Sequence, residues 1–296
     1  MSISKCLIAE EYRELVRRSS WKFGRPQVME IGLRYFEEHP EEVSQIASNL
    51  RYMGLSDSGS DLNAVLEGIV AHYYEKLFVL VKTYETYWIA KNRIDIGDSL
   101  EPFREARETG KAVFIGQAHF GATYLMAGAL AVHGLDQHVV GYFPEPVGGM
   151  LQESGRVLSE RYQAGHTRVL NLAHAEVDVP LEMMQLLSRK KILSNVYDEN
   201  NKFCKRVTLL GKPLMGGTGM DLILRNFSDE KVIVVTPFLV RTSDETFRYE
   251  LDRHRLADGD IIASAFRSLE RRVREHPEQW YFIRELHESF PRSEVQ

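Results

Sequence analysis

The residues best suited to chemistry lie in the run Val113-Phe114-Ile115-Gly116-Gln117-Ala118-His119-Phe120-Gly121. An apolar, β-branched stretch runs into small residues and then into a helical pattern. His119 is therefore expected just beyond the carboxyl end of a buried strand. Substrates of open α/β sheets collect at such ends. Imidazole titrates near neutrality, so there it can take a proton from an alcohol or an amine. Gly121 lets backbone come close to a substrate, and Phe120 is expected to touch it. The start of the following helix would offer unpaired N–H groups to developing negative charge. A histidine after a strand often serves structure alone, so its neighbours decide how to read it.

Asp198 and Glu199 follow another apolar run and share a polar turn with Asn200 and Asn201. A carboxylate beyond a strand end can orient an imidazole and stabilise its cation; a solvated turn explains the same residues equally well. Lys205 and Arg206 suit contact with a phosphate, and also suit an exposed pair at a strand start. Gly216-Gly217-Thr218-Gly219 lacks the Gly-Lys-Ser/Thr ending of a phosphate-binding loop. It reads as the tight entry to a helix, with Gly217 lining a substrate pocket. The arginines at 267, 271, 272 and 274 read mainly as a solvated helix face. Cys6 and Cys204, and His166 and His174, have no metal-ligand spacing, so neither a metal nor a cofactor is expected.

The elements that must hold these residues change texture near position 100. Before it the chain reads as helical: 40–50 opens with Pro40 followed by Glu41 and Glu42, and 61–92 forms one long helix. Leu66, Val70, Tyr73, Tyr74, Leu77, Val81, Tyr84 and Trp88 recur there at three- and four-residue steps, the pattern of a packed face. After it strands alternate with helices. Strands are expected at 111–116, 139–142, 169–172, 191–197, 207–210, 232–241 and 247–251. Helices are expected at 102–109, 121–133, 148–164, 179–187, 217–226 and 260–276, with Trp280 anchoring the segment that follows. This alternation implies an α/β fold, a mostly parallel sheet flanked by helices, with an N-terminal helical cap. The cap would span 1–100 and the catalytic core 101–296; no linker separates them, so one compact unit fits as well.

The composition excludes several classes. With 44% hydrophobic and 27% charged residues the chain is an ordinary globular one. A net charge of −5 supplies no global basic field to draw it onto nucleic acid or anionic lipid. Two cysteines give no disulfide framework, and no stretch approaches the ~20 apolar residues of a membrane-spanning helix. A soluble, cytoplasmic protein without a transmembrane segment is expected.

Three blocks, in order, resemble the lipid A biosynthesis acyltransferase family of the lysophospholipid acyltransferase-like superfamily. The first is Gly110-Lys111-Ala112-Val113 leading to His119-Phe120-Gly121. The second is Leu187-Ser188-Arg189-Lys190-Lys191-Ile192-Leu193 through Tyr197-Asp198-Glu199-Asn200, continuing into Val207-Thr208-Leu209-Leu210-Gly211-Lys212-Pro213 and Gly217-Thr218-Gly219. The third is the terminal helix with Pro277-Glu278-Gln279-Trp280-Tyr281-Phe282. The likeness covers roughly residues 100–285. It implies acyl transfer from a thioester, on coenzyme A or an acyl carrier protein, to an alcohol or amine. His119 would be the base, and backbone N–H groups or a basic residue would hold the oxyanion. Lys205 and Arg206 would then meet the donor's phosphates.

One position departs from this pattern. The family's acid five residues after the histidine would fall at 124, where this sequence has Tyr124. Tyrosine can hydrogen-bond the ring but is uncharged at neutral pH. Three readings follow: Tyr124 orients His119 for a good nucleophile, Asp198 or Glu199 substitutes, or the chain is an inactive relative that binds an acyl carrier or lipid. The missing acid and the charged cap favour a soluble small-molecule acceptor, as in secondary metabolism. An aminoacyl group, even from aminoacyl-tRNA, fits the chemistry, although the net negative charge disfavours tRNA. The alternative enzyme is a lipid or glycolipid acyltransferase, peripheral at the inner membrane.

Overall fold

Two adjacent strands in the middle of the seven-stranded sheet, β2 (Ala112–Gln117) and β5 (Ile192–Val196), explain where His119 goes, since His119 and Asp198 lie just beyond their ends. The computed structural model describes residues 9–55, 59–174, 178–199, 204–217 and 219–290. Cys6, Asn200, Asn201 and Thr218, and the side chain of His174, lie outside them.

The cap comprises α1 (Glu10–Arg18), α2 (Trp21–Glu38), α3 (Pro40–Met53), α4 (Gly59–Val81) and α5 (Thr83–Asn92). The remaining elements are β1 (Ile94–Asp95), α6 (Glu101–Thr109), β2, α7 (Thr123–Ala131), β3 (Gln137–Gly141), α8 (Val147–Tyr162), β4 (Thr167–Asn171), α9 (Val179–Ser188) and β5. They continue with β6 (Cys204–Leu209), β7 (Lys212–Gly217), α10 (Gly219–Leu224), β8 (Val232–Arg241), β9 (Phe247–His254) and α11 (Ile261–Glu275). The main sheet runs β1-β9-β8-β2-β5-β3-β4, and β9 lies antiparallel to β8 while every other pairing is parallel. The fold is therefore the expected α/β arrangement, with helices flanking a mostly parallel sheet and an N-terminal helical region. β2 is buried along its whole length and β8 at all but its last residue, as strands covered on both faces must be.

Two elements differ from expectation. The helix predicted over 61–92 breaks at Lys82, whose φ −129°, ψ 62° leaves the helical region between the β-branched Val81 and Thr83. The break rotates the second half, so Leu66, Val70, Tyr73, Tyr74 and Leu77 are buried while Tyr84 and Trp88 are exposed. The glycine-rich 216–217 does precede a helix, α10, which begins at Gly219, but it is itself the end of a strand, β7. β7 pairs antiparallel with β6 across a two-residue turn, Leu210-Gly211, and both turn residues have positive φ (53° and 74°). That is the turn geometry matching the twist of a hairpin.

Cap and sheet share one continuous cluster of buried apolar side chains. Specific polar ties fix their orientation. The Trp21 indole donates to Asp244 O (2.9 Å), and the Asn49 amide donates to Ile283 O (2.7 Å). Most telling is Glu75 of α4, 2% exposed, which takes a two-pronged bond from Arg241 at the end of β8, with Nη2 to Oε2 at 2.9 Å. The same guanidinium donates to Gly121 O (3.2 Å). Both charges are out of water, so removing one strands the other. Glu75→Gln is expected to cost about 3–5 kcal/mol of unfolding free energy. Urea unfolding would show it, and a loss under 1 kcal/mol would mean the pair does not hold the cap.

Candidate active site

Parallel pairing sets the site. β2 and β5 run abreast with Gln117 opposite Val196, and Tyr197 N–H extends the ladder to Gln117 O at 3.0 Å. Two residues beyond the last register pair, His119 and Asp198 therefore emerge side by side. One carboxylate oxygen of Asp198, Oδ2, accepts from the His119 backbone N–H (2.8 Å), and the other, Oδ1, lies 2.7 Å from Nδ1. The Asp198 side chain is almost wholly buried. Tyr197 braces the strand end from the other face, its hydroxyl donating to Ala265 O (3.0 Å) on α11.

The opposite ring nitrogen, Nε2, lies 3.0 Å from Glu199 Oε1. Glu199 is about half exposed, unlike its neighbour. Phe282 stacks on the imidazole at 5.3 Å between centroids, and Tyr281 meets it edge-on at the same separation. Burial alone would push the His119 pKa down; the charges and hydrogen bonds of Asp198 and Glu199 outweigh it and hold it well above the ordinary value. Burial pushes Glu199 up, but its bond to the imidazole and the nearby Lys76 leave it below the usual carboxylate range.

Tyr124, the second residue of α7, is not a partner of His119. It hydrogen-bonds Lys76, whose ammonium also sits 5.1 Å from the Tyr124 ring centre, and it faces His72 at 5.3 Å. His72 is buried and stacked on Tyr281 (3.2 Å), and burial, with Arg241 and Lys76, keeps it neutral well below its usual range. The position where the resemblance expects an acid thus belongs to the wall, and the carboxylate that meets His119 is Asp198, from another strand.

Gly121 is needed for its backbone. Its φ is +63°, and a Cβ there would lie 2.1 Å from Leu239 O. Its N–H donates to Gln279 O and that of Ala122 to Leu239 O, both at 2.8 Å. Neither is free for an oxyanion. The N–H groups of Thr123 and Tyr124, in the first turn of α7, have no partner within the helix, and both residues line the cavity below.

That cavity, of about 160 Å³, opens beside His119 and Glu199 and runs between α7, α8 and β3. Its walls are largely apolar, with Val79, Ala127, Val140, Leu151 and Leu158 among them. Thr86, Ser154 and Thr167 add hydroxyls, and among the described residues the buried Thr86 Oγ1 has no hydrogen-bond partner. Thr167 lies level with Gln137, three residues below Val140 along β3, so the cavity reaches about 10 Å down the sheet.

Other expected residues fall elsewhere. Phe120 is fully buried against Phe238 and does not line the cavity. Gly217 lies within β7, its N–H bonded to Tyr197 O (3.0 Å), so it supports the strand end rather than a ligand. Lys205 is taken by Asp221 and by Asp260 (2.7 Å). Arg206 is on the hairpin surface, in a shallow cleft with Arg267, Arg271 and Arg274, away from the cavity lining. Arg272 is not solvated as expected but buried, ion-paired with Glu250 at 2.6 Å. Trp280 is buried as expected. Among the described residues no cluster of three potential metal ligands occurs, and no helix is long and apolar enough to cross a membrane.

Sequence reasoning missed His72, Lys76 and Tyr281. His72 and Lys76 are four apart on α4, hence on one face, and a titratable pair on an otherwise apolar face was the available signal. No family model matches the chain, and no curated protein matches it.

A histidine held protonated stabilises the folded state below its unfolded pKa, about 6.5, and loses that contribution as pH rises through the higher folded value. The stability advantage of wild type over His119→Gln is therefore expected to shrink as pH is raised above neutrality. Urea unfolding at a series of pH values measures this; an advantage that stays flat or grows would refute the raised pKa.

Proposed function

We propose that this protein transfers an acyl group from a thioester to a hydroxyl or amine acceptor, with His119 as general base and Asp198 as its partner carboxylate. The observation carrying the reading is the Asp198–His119 pair, buried at a strand end and opening directly onto a largely apolar cavity. The cavity suits an acyl chain of short to medium length, and its hydroxyls suit a polar group on that chain. The donor thioester would be carried by coenzyme A or an acyl carrier protein, as the sequence resemblance supports, and the reaction would run in the cytoplasm, as the sparse cysteines support.

In this mechanism Nδ1–H donates a hydrogen bond to Asp198, which fixes the tautomer and turns the Nε2 lone pair toward the acceptor. Nε2 removes the acceptor's proton as its oxygen or nitrogen attacks the thioester carbonyl carbon. The oxyanion forms against the Thr123 and Tyr124 N–H groups at the start of α7. Collapse breaks the C–S bond, and the imidazolium returns the proton to the departing thiolate. Tyr281 and Phe282 wall the imidazole, and Asp198 stabilises its cation in place.

His119→Ala is expected to abolish thiol release from short- and medium-chain acyl-coenzyme A with alcohol and amine acceptors. Asp198→Asn should lower turnover on the order of 10³–10⁴-fold, as expected for a base that loses its orienting carboxylate. Tyr124→Phe should stay within roughly tenfold of wild type, because Tyr124 bonds Lys76 instead of the base. A thiol-release assay on the three variants decides it. A Tyr124→Phe loss as large as that of Asp198→Asn would reject the assignment, as would a fully active His119→Ala.

A further inference from the structure

We infer that Glu199 is the docking group for the acceptor, and that the acceptor arrives as a cation, a primary ammonium that takes the place now held by the His119 Nε2–H. Its catalytic half rests on the acyl-transfer reading above; its binding half does not.

Asp198 is an acceptor of both the His119 backbone N–H and the ring Nδ1–H. A neutral imidazole has only one N–H, so the 3.0 Å approach of Glu199 to Nε2 requires a second proton between them. The carboxylate is held below its usual range and the imidazole above its own, which puts that proton on the ring. A ring protonated at both nitrogens has no lone pair and cannot act as a base. Catalysis therefore requires something to part Glu199 from Nε2.

Only one of the two carboxylates is free to do this. Asp198 is buried and pinned at both oxygens, whereas Glu199 is half exposed at the cavity mouth, and among the described residues its side chain bonds only to His119. Charge then selects the acceptor. If a neutral alcohol displaced the contact and the ring lost its proton, Glu199 would face Asp198 with no cation between them. Of the other groups near the ring, His72 is neutral and Tyr281 uncharged. The Lys76 ammonium, hydrogen-bonded to Tyr124, acts on Glu199 through space and, among the described residues, is not bonded to it, so it does not take over the contact that the imidazolium gives up. An ammonium restores what the ring gives up. It carries three N–H donors, one for Glu199 and one for the freed Nε2. Binding therefore expels the ring proton to solvent and leaves the net charge unchanged.

The chemistry balances. Nε2 takes a proton from the bound ammonium, and the resulting amine attacks the thioester carbonyl carbon. The C–N bond forms and the C–S bond breaks. Thiolate and nitrogen exchange the remaining protons through His119, giving an amide, a thiol and one proton released to water.

Binding without any acyl donor tests this. n-Butylammonium and its neutral counterpart 1-butanol are titrated calorimetrically into wild type and Glu199→Gln, in two buffers of different ionisation enthalpy, at a pH where both the amine and His119 are protonated. Wild type is expected to bind butylammonium with release of close to one proton, and to bind 1-butanol roughly tenfold or more weakly. Glu199→Gln should lose roughly tenfold or more of the butylammonium affinity, and the proton release with it. Equal binding of the alcohol and the ammonium by wild type would overturn the proposal. So would binding without proton release, undiminished ammonium binding in the variant, or no binding of butylammonium at all. The wild-type comparison alone is decisive if the variant fails to fold. Ammonium binding with proton release but no thioester turnover would leave this site standing and discard the acyl-transfer reading.

Discussion

One carboxylate fastened to one histidine twice is the constraint on which the site depends. Asp198 holds the His119 backbone with one oxygen and its ring with the other, so the turn and the imidazole cannot be aimed independently. Neither bond could form without the β2–β5 register, which sets residues two places beyond Gln117 and Val196 abreast. A one-residue slip would turn Asp198 to the opposite face and leave His119 without its acid. The sheet is thus the positioning device, a parallel ladder whose β2 side is buried throughout.

The helical cap works on the same turn from the other side. Arg241 lies at the end of β8, reaches Glu75 on α4 and still bonds Gly121 O, while Gln279 holds both the Arg241 backbone and, through its own carbonyl, Gly121 N–H. The residues after His119 are therefore bound by the cap, by β8 and by the C-terminal segment together. This occupies the Gly121 and Ala122 N–H groups, so that in the proposed reaction the oxyanion would turn to the first turn of α7. It also brings His72 of α4 together with Tyr281 and Phe282 beside the ring, although they come from opposite ends of the chain.

Much of this was legible in the sequence because it is local. The strand ending before His119, the small-residue turn and the alternation of strands and helices all follow from periodicity and residue type. Asp198 and Glu199 were recognisable as carboxylates beyond a strand end, and Tyr124 as a residue unable to serve as an acid. Which of them meets His119 was not legible, since strand order and register join segments about eighty residues apart and leave no local mark. The Lys82 break was hidden because the apolar spacing on each side of it fits one helix. The β6–β7 hairpin was hidden because Leu210 adopts a positive φ that glycine would have announced. Lys205 and Gly217 looked available to a ligand until the neighbouring aspartates and Tyr197 were in place.

The central claim is that Asp198, and not Tyr124, is the partner of His119. Proton NMR of protein carrying ¹⁵N-labelled histidine observes that bond directly, through a low-field Nδ1–H resonance coupled to the His119 ring nitrogen. The account predicts that this resonance is present in wild type, persists in Tyr124→Phe and disappears in Asp198→Asn. Its loss in Tyr124→Phe, or its survival in Asp198→Asn, would contradict it.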